Sequence, residues 1–202
     1  DMKAHTWVPI GLNASDGPKT LQGTFNGNGH TISNIYCSYL GDTYDGGTGR
    51  GLGMFGTTDG ATIHDVFLHG VELDVLNQTG NDAYVIGAIA NEAKGNTTIY
   101  NCIADATMES TMANTTMGGL VGKLTNGTIH SSAAMPDMTG YTMGGLVGNN
   151  SGNIDNSFDH AKFHSSGSGY VGGLVAVNTG TVENCYAREQ SDSSHGGRFG
   201  WL

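Results

Sequence analysis

The chain has 202 residues, including 34 glycines and 3 prolines, and 18 Asp and Glu against 8 Lys and Arg give a formal net charge of −10. This acidic excess disfavours binding to nucleic acid or to anionic lipid, and no run of 18 apolar residues predicts a membrane span. The hydrophobic content of 37% is too high for a disordered linker. Short apolar runs separated by turn residues instead predict many short strands.

The first predicted coil covers about residues 7–37. It opens with Trp7-Val8-Pro9-Ile10-Gly11, continues through Phe25-Asn26-Gly27-Asn28-Gly29-His30, and leads into Thr31-Ile32-Ser33-Asn34-Ile35. No apolar signal-peptide core precedes it. We therefore expect the chain to be a mature form or, more simply, a fragment of a larger protein.

An acidic, glycine-rich insertion at residues 38–51 follows the first coil. Asp42 and Asp45 would offer the hard oxygen ligands that calcium prefers. Their spacing matches neither an EF-hand loop nor the glycine-rich nonapeptide calcium repeat, so a surface loop is the alternative reading. We expect no cofactor, with calcium at Asp42 and Asp45 as the one exception to test.

A glycine-rich element then recurs along the chain, with copies starting near residues 51, 85, 117, 143 and 171. It reads Met117-Gly118-Gly119-Leu120-Val121-Gly122, Met143-Gly144-Gly145-Leu146-Val147-Gly148 and Val171-Gly172-Gly173-Leu174-Val175-Ala176, with degenerate copies Leu52-Gly53-Met54-Phe55-Gly56 and Ile86-Gly87-Ala88-Ile89-Ala90. Aligning Gly53, Gly87, Gly119, Gly145 and Gly173 gives spacings of 34, 32, 26 and 28 residues. Adjacent apolar residues such as Leu120 and Val121 leave open whether a hydrophobic ridge is exposed.

A second element follows each copy and contains an aliphatic residue after a threonine or asparagine. Its copies are Thr62-Ile63-His64-Asp65-Val66, Thr98-Ile99-Tyr100-Asn101-Cys102, Thr128-Ile129-His130-Ser131-Ser132, Asn153-Ile154-Asp155-Asn156-Ser157 and Thr181-Val182-Glu183-Asn184-Cys185, with Thr31-Ile32-Ser33-Asn34-Ile35 as the first. Coils of this length without a helical period predict an all-β fold: a right-handed parallel β-helix, a three-sided solenoid of about six coils in a single domain.

Stacking such coils turns equivalent positions into ladders spaced by about 4.8 Å. We expect an inward aliphatic stack, a threonine ladder before it, and an Asn/Asp ladder at a corner two residues after it. The next position holds Cys102 and Cys185, with Ile35 as its first member. These cysteines would lie three coils apart, too far for a disulfide, so Cys37, Cys102 and Cys185 are interpreted as reduced.

The two elements together resemble the GLUG repeat of bacterial surface proteins. The resemblance covers residues 7 to about 187. It implies an adhesin-like extracellular region or, beside the protease domain of an IgA-specific metallopeptidase, an accessory domain. The chain itself has no His-Glu-x-x-His zinc motif.

The outward ladder one residue after the aliphatic stack holds the candidate site. We expect ligand-binding residues at His64, Tyr100, His130, Asp155 and Glu183. If the chain is an enzyme, Asp155 and Glu183 would be the carboxylate pair of a polysaccharide hydrolase or lyase, with His130 tuning their proton affinity. The other reading of this ladder is a solvated surface. The eight histidines lack metal-ligand spacing, so no metal site is expected among them.

The sequence therefore predicts a non-catalytic module of the cell surface or extracellular space, acting in adhesion or as a rigid spacer. Its partners would be host or environmental glycans or proteins and neighbouring domains of the same parent chain. A carbohydrate-active β-helix enzyme and an accessory domain of a larger secreted peptidase are the alternatives.

Overall fold

A computed structural model describes residues 6–11, 13–14, 17–18, 20–40, 51–78, 81–188, 190–191 and 198–200. Within these ranges the chain forms strands and no helix. The strands are β1 Asn13–Ala14, β2 Gly17–Pro18, β3 Thr24–Asn26, β4 Thr31–Ser33, β5 Tyr36–Leu40, β6 Gly51–Leu52, β7 Phe55–Asp59, β8 Thr62–His64, β9 Phe67–Leu76, β10 Tyr84–Gly87, β11 Ala90–Lys94, β12 Thr98–Tyr100, β13 Ile103–Ser110, β14 Thr115–Gly118, β15 Val121–Leu124, β16 Thr128–His130, β17 Ala133–Gly140, β18 Thr142–Gly144, β19 Val147–Asn150, β20 Asn153–Asp155, β21 Phe158–Asp159, β22 Lys162–Ser165, β23 Tyr170–Gly172, β24 Val175–Asn178, β25 Thr181–Glu183, β26 Tyr186–Ala187, β27 Gln190–Ser191 and β28 Arg198–Gly200.

Apart from the antiparallel pair β1–β2, these strands form four parallel sheets. Sheet 1 runs β6-β10-β14-β18-β23-β28, and sheet 2 runs β7-β11-β15-β19-β24. Sheet 3 runs β3-β8-β12-β16-β20-β25. Sheet 4 contains β4, β5, β9, β13, β17, β21, β22, β26 and β27.

The chain visits the four sheets in the same order in every complete coil, which confirms the predicted parallel β-helix. Each complete coil passes through four sheets where three sides were expected. The reason lies in the glycine-rich element, which contains two strands and a bend between them. The chain bends at Gly119 and Leu120, so that β14 belongs to sheet 1 and β15 to sheet 2.

The bend also answers the question of the hydrophobic ridge. Leu120 and Val121 are both buried, as are Leu146 and Val147 one coil later. Two consecutive side chains can point inward because they lie on different sides of a corner between two sheets. With Ile63, Ile99, Ile129 and Ile154 of sheet 3 they form one continuous apolar core.

The glycine corner, which we define as the junction of sheets 1 and 2, is built by backbone in close contact. A methyl group on Gly118 would overlap the carbonyl oxygen of Val121 and lie 2.5 Å from the amide nitrogen of Gly148 in the next coil. Gly144 is enclosed in the same way by Val147 and Ala176. Glycine recurs here because no side chain fits between the two sheets.

The asparagine corner, which we define as the junction of sheets 3 and 4, depends on conformation. The predicted Asn/Asp ladder lies there, and its members have φ between 48° and 55°: Asp65, Asn101, Ser131, Asn156 and Asn184. Asn and Asp tolerate this left-handed region better than other non-glycine residues. The expectation of a corner turn is therefore confirmed.

A ladder of small polar side chains lies directly behind the asparagine corner. The amide of Cys102 donates to Ser132 Oγ at 3.1 Å, that of Ser132 to Ser157 Oγ at 3.2 Å, and that of Ser157 to Cys185 Sγ at 3.4 Å. Each hydroxyl or thiol thus satisfies an amide of the preceding coil that the turn leaves without a strand partner. All three cysteines are free thiols, as interpreted from the sequence.

The first coil differs from its predicted register. Thr24, Phe25 and Asn26 pair with Thr62, Ile63 and His64, whereas Ile32 pairs with Leu68 in sheet 4. The alignment of Thr31-Ile32-Ser33-Asn34-Ile35 with the second element was therefore wrong. Phe25 takes the place of isoleucine in the stack and packs edge-on against Phe55, with ring centroids 5.2 Å apart. Because phenylalanine does not resemble the isoleucines of the other coils, sequence similarity pointed to the wrong segment.

The glycine alignment was also shifted by one residue at one step. Gly87 pairs with Gly118, and Gly118 with Gly144, so the structure aligns Gly87 with the first glycine of each pair. The third coil has Ala88 in place of the second glycine. A lone glycine can be matched to either member of a glycine pair, and only strand pairing decides between them.

Candidate binding face on sheet 3

The predicted outward ladder lies on sheet 3. Parallel pairing stacks His64 on Tyr100, Tyr100 on His130, His130 on Asp155, and Asp155 on Glu183. The first coil contributes Asn26 to this ladder instead of Ser33. All of these side chains are at least partly exposed, while the isoleucines between them and the threonine ladder are buried.

Three aromatic side chains of the ladder form a continuous stack. The ring centroids of His64 and Tyr100 are 4.7 Å apart with an interplanar angle of 2°. Those of Tyr100 and His130 are 5.0 Å apart at 8°. Tyr100 is therefore covered on both faces, and the stack presents ring edges and polar atoms to the solvent.

Hydrogen bonds fix the first end of this stack. His64 Nδ1 lies 2.7 Å from Asp65 Oδ2, and Asn101 Nδ2 donates to Asp65 Oδ1. The hydrogen bonds from His64 and then Asn101 hold the pKa of Asp65 below its usual range. Asp65 thus stays a carboxylate that links two successive corners.

The two carboxylates proposed for an enzyme are direct neighbours in the ladder. Asp155 and Glu183 are register partners on β20 and β25, which puts their backbones about 4.8 Å apart. Asn156 Nδ2 donates to Asp155 Oδ1 at 2.7 Å. The pair lies on a sheet surface, and His130 is the next member of the same ladder.

The proposed calcium ligands Asp42 and Asp45 lie outside the described residues. Among the residues that are described, no group of three or more His, Cys, Asp and Glu is arranged to hold a metal ion. Two histidines instead contact carboxylates on sheet 4: His69 with Asp105 at 2.8 Å, and His164 with Asp137 at 3.1 Å.

Sequence reasoning missed a second outward ladder, on sheet 4. Its members are paired in register and mostly apolar: Phe67, Ile103, Ala133, Phe158 and Tyr186. The rings of Phe158 and Tyr186 stack with centroids 5.1 Å apart. The sequence could have revealed this ladder, because each of its members lies two residues after the Asn, Asp or Ser of the corner.

A small cavity of about 30 Å³ lies away from both ladders, lined by Thr6, Trp7, Val8, Pro9, Cys37, Ser38 and Leu52. Trp7 Nε1 closes one side by donating to the carbonyl oxygen of Met54 at 3.1 Å.

In the described part of the chain, no helix has the length and apolar character needed to cross a membrane.

Comparison with known families supports the repeat. A family model of the GLUG motif matches residues 167–189. These residues contain the glycine-rich element that begins at Val171 and the second element that ends at Cys185, and the strand pairing aligns the earlier copies with them. No curated protein and no solved structure matches the chain. Residues 167–189 therefore carry a GLUG motif, and the chain that contains them has a parallel β-helix fold.

Proposed function

We propose that this GLUG-repeat β-helix is a non-catalytic, adhesin-like module of a bacterial cell surface or of the extracellular space, and that it binds its ligand along the outward ladder of sheet 3. The observation that carries the proposal is the fixed arrangement of this ladder. Stacking and hydrogen bonds hold His64, Tyr100, His130 and Asp155 in place on an open face.

Such an arrangement favours binding because little side-chain entropy remains to be lost when a ligand attaches. The face offers imidazole nitrogens, a phenol, amides and carboxylates, which suit the hydroxyl groups of a glycan or the polar groups of a protein. It is extended and shallow, so it fits a long ligand that lies along the solenoid better than a small molecule that needs a pocket.

The test is a binding screen of the folded protein against glycan, mucin and protein arrays, with and without calcium. Each binding partner is then measured with Tyr100→Ala and with Glu183→Gln. Lys123→Ala, an exposed position on sheet 2, is the matched control. We expect the ladder variants to weaken binding at least tenfold and the control to leave it unchanged.

A screen without any binding partner would contradict the proposal and leave the role of a rigid spacer between other domains. Equal loss in the ladder variants and the control would contradict the location of the binding face. Loss of binding on removal of calcium would point to a required ion, for which Asp42 and Asp45 are the residues to replace first.

A carbohydrate-active enzyme is the second candidate, and the pairing of Asp155 with Glu183 favours it. Two neighbouring carboxylates are the groups that glycosidases use as nucleophile and general acid. Activity on a polysaccharide panel that disappears in both Asp155→Asn and Glu183→Gln would establish it. Activity that survives both changes would exclude these residues from catalysis.

A further inference from the structure

Sheet 3 presents two outward columns, each with one side chain per coil. Its strands are three residues long, and the central apolar residue of each faces the core. One column is the outward ladder from Asn26 to Glu183. The other is the threonine ladder, whose members in the structure are Thr24, Thr62, Thr98, Thr128, Asn153 and Thr181. The face is therefore two side chains wide and six strands long.

Similar groups repeat along this face at a nearly constant interval. The ring centroids of Tyr100 lie 4.7 Å from those of His64 and 5.0 Å from those of His130. A pyranose joined through equatorial bonds at C1 and C4 advances an extended polysaccharide by nearly the same distance. One sugar would then lie over each coil. A polymer with a different period would lose register within a few units, because hydrogen-bond lengths vary by only about 0.5 Å.

The order of the aromatic side chains also matches such a chain. His64 and His130 lie two coils apart, with Tyr100 between them. In a ribbon of equatorially 1,4-linked sugars successive rings are inverted, so every second sugar presents the same edge to a surface. The two imidazoles would therefore meet the same edge of the ribbon, and the phenol would meet the opposite edge.

The exposed groups of sheet 3 suit sugar hydroxyls rather than the apolar faces of sugar rings. Both faces of Tyr100 are covered by imidazoles, so a sugar has no aromatic face on which to stack. Within the described residues, the hydroxyls of Thr98 and Thr128 have no hydrogen-bond partner, and each can donate one bond and accept others. The exposed carboxylate of Glu183 adds an acceptor.

Charge disfavours an anionic polymer on this face. The strands of sheet 3 contain no Lys or Arg, whereas Asp155 and Glu183 contribute carboxylates. A uronate chain, a sulfated glycan or a nucleic acid would bring like charge to this end of the face, which is unfavourable. A peptide could not add as a further strand here, because the strands between β3 and β25 are paired on both edges.

We propose that the ligand of sheet 3 is a linear, uncharged polysaccharide with equatorial 1,4 linkages, which lies along the solenoid axis with one sugar per coil. This inference rests on the proposed function, because it names the ligand class of the same binding face. Six strands would hold six sugars. Chains of glucose, mannose or N-acetylglucosamine with this linkage belong to the class.

The first test is titration calorimetry of the full chain with cellohexaose, mannohexaose and chitohexaose. Maltohexaose is the matched control ligand, because it contains the same six glucose units as cellohexaose and differs only in the axial bond at C1. We expect at least one of the three equatorially linked hexasaccharides to bind at least tenfold more tightly than maltohexaose. Absence of binding by all three, or equal binding of maltohexaose, would overturn the proposal.

Chain length gives a second readout on the hexasaccharide that binds best. The affinity should rise from the disaccharide to about the hexasaccharide and then level off, because sheet 3 has six strands. A disaccharide that binds as tightly as the hexasaccharide would contradict an extended ligand with one sugar per coil.

A pair of isosteric substitutions locates the sugar on the face. Thr98→Val with Thr128→Val removes two hydroxyls and keeps the branched shape that suits a strand. Thr116→Val with Thr142→Val, at two half-buried threonines of sheet 1, is the matched control. We expect about tenfold weaker binding in the sheet 3 variant, as for the loss of one or two hydrogen bonds, and no change in the control. Unchanged affinity in a folded sheet 3 variant would overturn the proposal.

The array screen separates failure of this inference from failure of the proposed function. A protein or a branched glycan that binds the chain, and no longer binds after Tyr100→Ala, would overturn the polysaccharide assignment and leave the binding face standing. A folded chain that binds nothing on the arrays and none of the hexasaccharides would overturn both.

Discussion

The glycine corner and the asparagine corner bend the same coil by different means. At the glycine corner two sheets touch through their backbones, and Gly118 and Gly144 are required because any side chain would overlap a neighbouring carbonyl. At the asparagine corner the chain takes a left-handed φ. The backbone amide of the residue after the turn then donates a hydrogen bond to a hydroxyl or thiol of the next coil.

The difference explains which substitutions the repeat itself tolerates. The asparagine corner accepts Asp65, Asn101 and Ser131 at the turn, and Cys, Ser or Val at the next position. At one position of the glycine corner, the residues of the two sheets change together. Sheet 1 has Gly51 at this position, and the side chain of Asn91 in sheet 2 fills the space beside it. One coil further the roles are exchanged: the side chain of Val85 in sheet 1 fills the space beside Gly122 in sheet 2. One corner is limited by volume and the other by conformation and hydrogen bonding.

Placing a single methyl group in the glycine corner should have the largest effect. We expect Gly118→Ala to lower the free energy of unfolding by about 3 kcal/mol or more, because two backbones must separate to admit it. Denaturant unfolding measures this change. Gly23→Ala is the control: nothing lies within 4 Å of the added carbon, and the change should stay within about 0.5 kcal/mol. Similar losses at both positions would contradict the packing argument.

Gly51 and Asn91 test the same corner, because swapping which sheet carries the side chain reproduces packing that already occurs one coil further. Gly51→Val alone should cost about 2 kcal/mol, because the side chain would overlap Asn91. Adding Asn91→Gly recreates the arrangement of Val85 and Gly122 and should restore at least half of the loss. A double-mutant cycle measures the coupling. Strictly additive effects would show that the two positions do not share one space.

The hydroxyl ladder behind the asparagine corner should respond to the loss of an acceptor. Ser157→Ala leaves the buried amide of Ser132 without its partner, and we expect a loss of about 2 kcal/mol. Ser157→Cys keeps an acceptor of the kind that Cys185 supplies one coil later, and it should cost less than half as much. If the alanine and cysteine variants unfold at the same denaturant concentration, the ladder does not depend on these bonds.

Conformation at the turn itself should have a smaller effect. Asn156 has a φ of 48°, so Asn156→Val should cost about 1.5 kcal/mol, whereas Asn156→Gly should cost about 0.5 kcal/mol or less. Both variants lose the bond to Asp155, so their difference isolates the backbone. Thermal unfolding of the two variants gives this difference, and a glycine variant as unstable as valine would contradict the conformational argument.

Alkaline pH should weaken the asparagine corner slightly through Cys102. Burial raises the pKa of the Cys102 thiol from 9.0 to about 11. Because the unfolded thiol ionises first, its contribution to stability is complete below pH 9 and is lost progressively as pH rises to about 11. Near pH 10 this loss amounts to about 1 kcal/mol.

Cys102→Ser removes this ionisable group and should flatten the stability profile between pH 9 and 11. Burial raises the pKa of the Cys37 thiol to about 12. Its contribution to the pH dependence of stability is the same in both proteins, so the difference between their slopes reports Cys102 alone. Identical slopes for the variant and the unmodified chain would rule out a contribution from Cys102.

The sequence predicted the parallel β-helix and most of its register. Five copies of the second element align as expected, from Thr62 to Thr181, because a residue type that recurs at one position of each coil is stacked on itself. The register of the first coil was predicted wrongly because Phe25, which continues the stack, does not resemble the isoleucines of the later coils. The same regularity placed the ladder from His64 to Glu183 on the outside of sheet 3.

By itself, then, the sequence determined that the chain coils, roughly how often, and which residues stack along sheet 3, since these properties follow from periodicity. Tertiary structure alone decided that Leu120 and Val121 both point inward, that Gly87 aligns with Gly118, and that Phe158 and Tyr186 form an exposed ladder. These features depend on where the backbone bends and on atoms 26 to 34 residues away along the chain. Alternation along a strand cannot reveal a corner, because a corner is the place where alternation stops.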